Sequence, residues 1–236
     1  MTNDMPSGDD LTAEQERVAR AMMRHVPFDG WTAKALSAAL ADEELPAADA
    51  KRIFPRGAIG AVEALNRAAD RDMAAQMETL DLAGMRVRDR VIAGVRLRLA
   101  PHAADKEAIR RALQLLALPP NAAVGLRCLH RTVDAIWHAA GDTATDFNWY
   151  TKRGLLAAVY SSPLLYWLND RSEDDAATWD FLGRRIDTVM QVPGTVGKLR
   201  GRLGATPNPI SLFRDCLLYT SPSPRDQRGA RMPSSA

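Results

Sequence analysis

The chain is short of the residues that usually announce chemistry. It has two cysteines and four histidines among 236 residues, and aromatic side chains make up only 6%. Cys128 and Cys216 are far apart and share no metal-ligand spacing, which excludes a disulfide framework and a cysteine-based metal site. Cys128 falls in a helical pattern and is expected to be a buried thiol. Charge of one sign is also missing: 31 basic against 29 acidic residues leaves a net +2, too little to argue for nucleic acid. No apolar run approaches the ~18 residues needed to span a bilayer, and the first twenty residues lack an apolar leader segment. The expected location is the cytoplasm, with room for peripheral contact with the inner membrane.

Catalytic motifs are absent as well. The Gly57–Gly60 turn has neither GxGxxG nor a lysine-bearing phosphate loop. Ser161 and Ser162 have no strand-turn-helix nucleophile context. His130 and His138 lie two helical turns apart, yet no cysteine or compact carboxylate pattern completes a metal site. A stand-alone enzyme is therefore not expected, and no cofactor is called for.

What is present is helical periodicity, and an all-α fold follows from it. An apolar stripe of Val18, Ala21, Met22 and Val26 predicts a helix over 11–26 that Pro27 interrupts. Thr32 can cap a short helix through Leu40, and another is expected over Ala47–Phe54 before a turn at Pro55–Gly57. Longer helices follow over 58–80, 85–99 and 103–118. Leu126, Leu129, Val133, Ile136, Trp137 and Ala140 predict an internal face on the next, which Gly141 ends. A helix over 148–161 is expected to break or kink at Pro163. Beyond Ser172 an acidic start, including Asp174 and Asp175, leads to a stripe of Trp179, Leu182, Ile186, Val189 and Met190. Three short helical units before a longer one resemble the amino-terminal layout of TetR-like regulators. The candidate recognition segment, Ala47–Phe54, offers Lys51 and Arg52 but also Asp49 and five apolar residues, a poor face for reading DNA.

Two stretches carry more specific information. In 85–99 five arginines alternate with aliphatic residues, so one face can pack while the guanidinium groups reach solvent or anionic headgroups. In 141–153, GDTATDFNWYTKR, Trp149 and Tyr150 sit among charged residues at a helix junction. Either Asp146 or Asn148 caps a helix whose core Trp149 enters, or the aromatics supply contact area for a partner. A helical bundle can also enclose a lipid-sized apolar chamber. Its candidate walls are Val95, Leu113, Leu116, Leu129, Val133, Trp137, Leu156, Val159 and Trp179, each equally suited to a filled core.

Over about 18–199 the chain closely resembles the COQ9 family of ubiquinone-biosynthesis proteins. The resemblance rests on DAIWHAAGD at 134–142, DFNWYTKR at 146–153, TWDFL at 178–182 with Arg184-Arg185-Ile186, and Gly30-Trp31-Thr32. It implies a TetR-like fold with a degenerate helix-turn-helix region, repurposed for lipid binding. It also implies a bound isoprenoid quinone intermediate or phospholipid, partnership with the pathway's di-iron hydroxylase, association with a membrane surface, and a homodimer. Trp149, Tyr150 and Arg153 match the family's partner-binding patch. The expected division is a flexible terminus at 1–10, a helix-turn-helix-like region with its connecting helix at 11–80, a lipid-binding core at 81–192, and a membrane-associating segment at 193–215. Residues 216–236, CLLYTSPSPRDQRGARMPSSA, resemble translated adapter or vector sequence, a disordered tail being the alternative. The leading expectation is an accessory protein that presents lipids to the hydroxylase. A ligand-responsive DNA-binding regulator is the alternative, although nucleic acid is not expected as a partner.

Overall fold

The apolar stripe of α1 (Gly8–Asp29) buries Val18, Met22 and Val26 completely, and the helix runs one turn further than its proline predicts. Pro27 falls in the last turn, where its missing amide leaves only the Met23 carbonyl without an internal partner. Gly30 then closes the helix at φ +68°, its amide donating to Val26 O at 2.9 Å. Thr32 caps α2 (Ala33–Asp42) as expected, its hydroxyl accepting from the Ala35 amide at 3.4 Å. The single helix expected over Ala47–Phe54 is instead a 3-10 turn, Ala47–Asp49, leading into one α turn, α3 (Ala50–Ile53). Prolines at 46 and 55 confine this stretch, and Phe54 leaves helical geometry to bury its ring beside Ile53.

We describe this architecture from a computed structural model of the chain. It describes residues 8–141 and 148–188, the side chains of 148–153 and 155 excepted. These residues lie within one compact unit, Met1–Val189. The long helices are α4 (Ala58–Glu78), α5 (Val87–Leu99), α6 (Lys106–Ala117), α7 (Ala122–Ala139), α8 (Asn148–Trp167) and a last helical stretch at 176–188, here α9. No strand occurs among the described residues. Pro101 and the Pro119-Pro120 pair each open a 3-10 turn, and Gly141 at φ +84° follows α7. The break expected at Pro163 does not occur, and α8 continues through it to Trp167. Leu156, Val159 and Tyr160 before the proline and Trp167 after it are buried in one cluster, so packing on both sides holds the helix together.

Two apolar cores meet along α4. The first joins α1, α2, α3 and the amino-terminal half of α4 to Ala108 and Ala112 of α6. The second joins Met73 and Met77 of α4 to α5, α7, α8 and α9. Trp31 bridges toward α6 in the first core, its indole N–H donating to Ala108 O at 3.0 Å. In the second core α5 and α7 approach closely at Gly94, where a β-carbon would lie 3.2 Å from Ile136 Cγ2. The internal face of α7 is rotated from the expected one. Val124, Cys128, Thr132, Val133 and Ile136 are buried, Leu126 is 68% exposed, and Trp137 is only partly buried.

Ser172 caps α9 as its position suggests, and the acidic turn departs from expectation at Asp175. Asp170 and Ser172 do the capping, accepting from the Thr178 and Ala177 amides at 2.8 and 3.0 Å. Asp175, at φ +57°, turns inward instead, accepting the Trp167 indole N–H at 2.8 Å and pairing with Lys106. The Lys106 ammonium also lies 5.2 Å from the centre of the Trp167 ring. Trp167 is fully buried where α8 ends, so replacing it by alanine is expected to cost roughly 3–5 kcal/mol in urea unfolding. Trp167→Phe, which keeps most of the volume but removes the donor to Asp175, should cost less. Equal losses would show that the hydrogen bond, not the volume, holds this end.

Candidate functional site

The amphipathic pattern of α5 leaves Arg86 and Arg96 exposed, as a solvated stripe requires, but ties Arg88, Arg90 and Arg98 to other parts of the chain. Arg88 donates to Asp187 of α9 at 2.5 and 2.9 Å. Arg90 donates to the Met85 carbonyl at 3.0 Å and to the Ala140 carbonyl at 3.1 Å, satisfying the end of α7. The Arg96 guanidinium lies 5.2 Å from the Trp179 ring centre. Arg98 goes furthest inward and is 7% exposed.

Arg98 belongs to a closed polar knot where α4, α5 and α7 cross. Its Nε donates to Asp70 Oδ1 at 2.8 Å, and its Nη2 donates to Asn66 Oδ1 at 3.0 Å. Asp70 also accepts from the Thr132 hydroxyl at 2.9 Å and the Asn66 amide at 3.0 Å. Burial pushes the Asp70 carboxyl above its ordinary value, and Arg98 and Thr132 oppose that shift. Burial likewise opposes charge on Arg98, but Tyr160 and Asp70 outweigh it and hold the guanidinium above its usual range. Tyr160, also buried, is pushed up by desolvation. The knot therefore keeps a buried cation and anion only because each has its partner.

Against this knot lies a small cleft of about 70 Å³. Arg98, Asn66, His102 and Tyr160 supply its polar lining; Leu113, Leu116, Leu164 and Trp167 supply much of the rest. Burial first, then Arg98 and Arg20, push His102 down to about 4, so it is neutral at pH 7. Of the predicted chamber walls, Val95, Val133, Leu156 and Val159 are buried in the second core, where Leu129, Trp137 and Trp179 pack partly buried. Leu113 and Leu116 line the cleft itself. Among the described residues these walls pack together, and this cleft is well below the ~300–1,000 Å³ of small-molecule sites.

The backbone places Trp149, Tyr150 and Arg153 in the first turns of α8, but their side chains lie outside the described residues. The segments 1–7, 142–147 and 189–236, with the membrane-associating and tail assignments, do so too. Cys128 is buried, as expected, and burial pushes its thiol up, which makes it a poor nucleophile. Among the described residues no group of three or more His, Cys, Asp or Glu side chains could hold a metal ion. No single described helix is long and apolar enough to cross a membrane. The Arg98–Asp70 pair escaped sequence reasoning, although a signal existed. Arg98 follows Val91 and Val95 on one apolar stripe, and Asp70 lies among Ala69, Met73 and Met77 on another. A charge of each sign on the buried faces of two helices points to an internal pair.

Residues 122–193 match the COQ9 family, a segment that takes in α7, α8 and α9. The human mitochondrial ubiquinone biosynthesis protein COQ9 is 33% identical over 196 residues, covering 79% of this chain and 60% of that protein. The Drosophila melanogaster counterpart is 29% identical over 195 residues, covering 81% of this chain and 60% of its own length. The chain thus spans about three-fifths of the curated relatives it matches. A TetR transcriptional regulator from Nitrosomonas europaea has the same fold, with a TM-score of 0.61 at 15% identity over 75% of this chain and 98% of the regulator.

Two measurements test this site. Arg98→Met alone leaves Asp70 buried and unpaired and is expected to cost about 3–5 kcal/mol. Adding Asp70→Leu should return part of that loss; a double variant as unstable as the sum of both single changes would show that the two residues do not act as a pair. His102 gives a pH signature. Its folded pKa lies below the ordinary 6.5, so the unfolded chain takes up the proton first. This contribution to stability should be lost as pH drops from about 6.5 to about 4, by on the order of 3 kcal/mol. His102→Gln should remove that decline from urea unfolding curves at pH 7 and 4.5.

Proposed function

From the premise that this chain is a homologue of the COQ9 proteins, we propose that it is a non-catalytic accessory protein of ubiquinone biosynthesis. It binds isoprenoid quinone intermediates or related lipids and presents them to the pathway's di-iron hydroxylase at a membrane surface. The observation that carries this reading is positional. The segment matching the family, 122–193, includes the helices that form most of the second apolar core. Tyr160, Leu164 and Trp167 of that segment also face the cleft from α8. The cleft combines a guanidinium, an amide and a phenol with an apolar lining, which suits a lipid bearing an oxygenated ring.

At about 70 Å³ the cleft does not take an isoprenoid as it stands, so loading requires α6 and α8 to move apart. Burying the hydrocarbon would repay that opening at roughly 25 cal/mol per Å² of apolar area removed from water. Trp149, Tyr150 and Arg153, at the other end of α8, would form the docking patch. Dimerisation would involve a second copy of this chain, and membrane contact would be peripheral. The relatives' names place them in mitochondria.

A DNA-binding regulator fits this chain less well. Its recognition segment is reduced to the four residues of α3, and Arg52 there is tied to Glu14 at 2.8 Å and to Asp49 at 2.9 Å. Likeness to a TetR regulator at 15% identity supports the fold alone.

Native mass spectrometry of protein purified from quinone-producing cells is expected to show a bound isoprenoid quinone or precursor, identified after lipid extraction. Trp149→Ala/Tyr150→Ala should weaken hydroxylase binding at least about tenfold while lipid occupancy is kept. A folded protein that carries no lipid, and whose double variant still binds the hydroxylase, would sink the proposal.

A further inference from the structure

A second concavity lies outside the proposed lipid core, between α4 and α7. It is a groove of about 490 Å³, within the range of small-molecule sites, and it shares no residue with the interior cleft. Hydrogen bonds fix how its walls are aligned. Arg127 donates to Glu63 at 3.5 Å, and Thr132 donates to Asp70 at 2.9 Å, so numbers rise together along both helices. Arg67 and Arg131 therefore share one end of the groove, while Met77, Leu82 and Ala139 lie toward the other, about 12 Å along the axis. Met77 is fully buried beneath that far part, and Ala74 and Ala135 leave space above the floor.

The charges at the two ends differ. Among the described residues neither Arg67 nor Arg131 forms an ion pair. Asp70 and Arg71 line the same end, Asp70 bound to Arg98 and Arg71 paired with Glu16. Both carboxylates act on Arg131 and Arg67 through space, but their ion-pair partners are other arginines. Among the described residues Arg67 donates to the neutral Gln15 amide oxygen, at 3.0 Å. Burial, and then repulsion from Arg131, hold the Arg67 guanidinium below the ordinary arginine value, with Glu16 opposing. Two cations that repel each other at one end of a groove whose other part carries Met77, Leu82 and Ala139 form a receptor for an anion, because a bound oxyanion relieves the repulsion and accepts from both guanidinium forks. Glu78 and His138 line the far end, where the Glu78 carboxylate disfavours a second anionic group and so orients the ligand.

We propose that the α4–α7 groove binds an anionic amphiphile, its single phosphate or carboxylate between Arg67 and Arg131 and its short apolar tail over Met77, Leu82 and Ala139. The source is either the headgroup region of a membrane lipid or a dissolved amphiphile, which offer the same chemistry. The site is independent of the interior cleft and stands whether or not the interior takes an isoprenoid.

Octyl phosphate titrated calorimetrically into the full chain should bind saturably, more weakly as salt is raised, and at least about tenfold more tightly than inorganic phosphate. Arg67→Gln/Arg131→Gln should weaken octyl phosphate at least about tenfold with the thermal midpoint preserved. Ala135→Leu, which fills the floor without changing charge, should weaken octyl phosphate and leave inorganic phosphate unaffected. Co-sedimentation with phosphatidate-containing vesicles that is lost in the arginine variant assigns the anion to a bilayer. Octyl phosphate binding without co-sedimentation assigns it to a dissolved amphiphile. Absence of saturable binding, affinity unchanged in the arginine variant, or inorganic phosphate binding as tightly as octyl phosphate would overturn the proposal.

Discussion

One buried ion pair sets the terms for the rest of this protein. Arg98 of α5 and Asp70 of α4 meet where α4, α5 and α7 cross, with Asn66 and Thr132 completing their hydrogen bonds. A pair at such a depth is not a source of large net stability, because desolvation offsets much of the attraction. Its effect is on geometry. A helix that slid by one residue would leave a charge buried and unmatched, so the pair fixes the register of three helices at the seam between two apolar cores. The proposed lipid cleft and the anion groove lie on opposite sides of that seam and inherit their alignment from it.

The same economy appears at the periphery of the second core. Arg88, Arg90 and Arg96 connect α5 to α9, to the end of α7 and to Trp179, so much of its positive charge also ties helices together. Arg67 and Arg131, by contrast, have no ion pair among the described residues. Of the arginines over 85–99, only Arg86 and Arg96 remain exposed.

Periodicity made most of the helices legible, and chain-breaking residues located most of their ends. Gly30, Gly141 and the prolines of the 3-10 turns act as their local chemistry requires. The failures share a cause. Pro163 and Pro27 are tolerated because surrounding contacts outweigh a lost backbone hydrogen bond, which no local pattern records. Asp175 belongs by sequence to an acidic helix start, yet Lys106 and Trp167, distant in the chain, draw it inward. The rotation of α7 that exposes Leu126 is likewise decided by what faces it, including Ile136 seated against Gly94. The walls named for a chamber were found in the core, but the closeness of their packing is a property of three dimensions that spacing does not encode.

The construction of α8 has a mechanical meaning. Twenty residues make a rod of about 30 Å, with Trp149 and Tyr150 near one end and Trp167 clamped at the other by Asp175 and Lys106. Between them Pro163 removes one rung of the hydrogen-bond ladder, that to the Val159 carbonyl, beside the residues that line the cleft. A rod fixed at its base and weakened just above it tilts as a lever. Bending it by ten degrees at Pro163 would carry the far end about 4 Å while Leu164 stays near the fixed base. Docking at the tip would then be felt at the fulcrum, where the cleft lies.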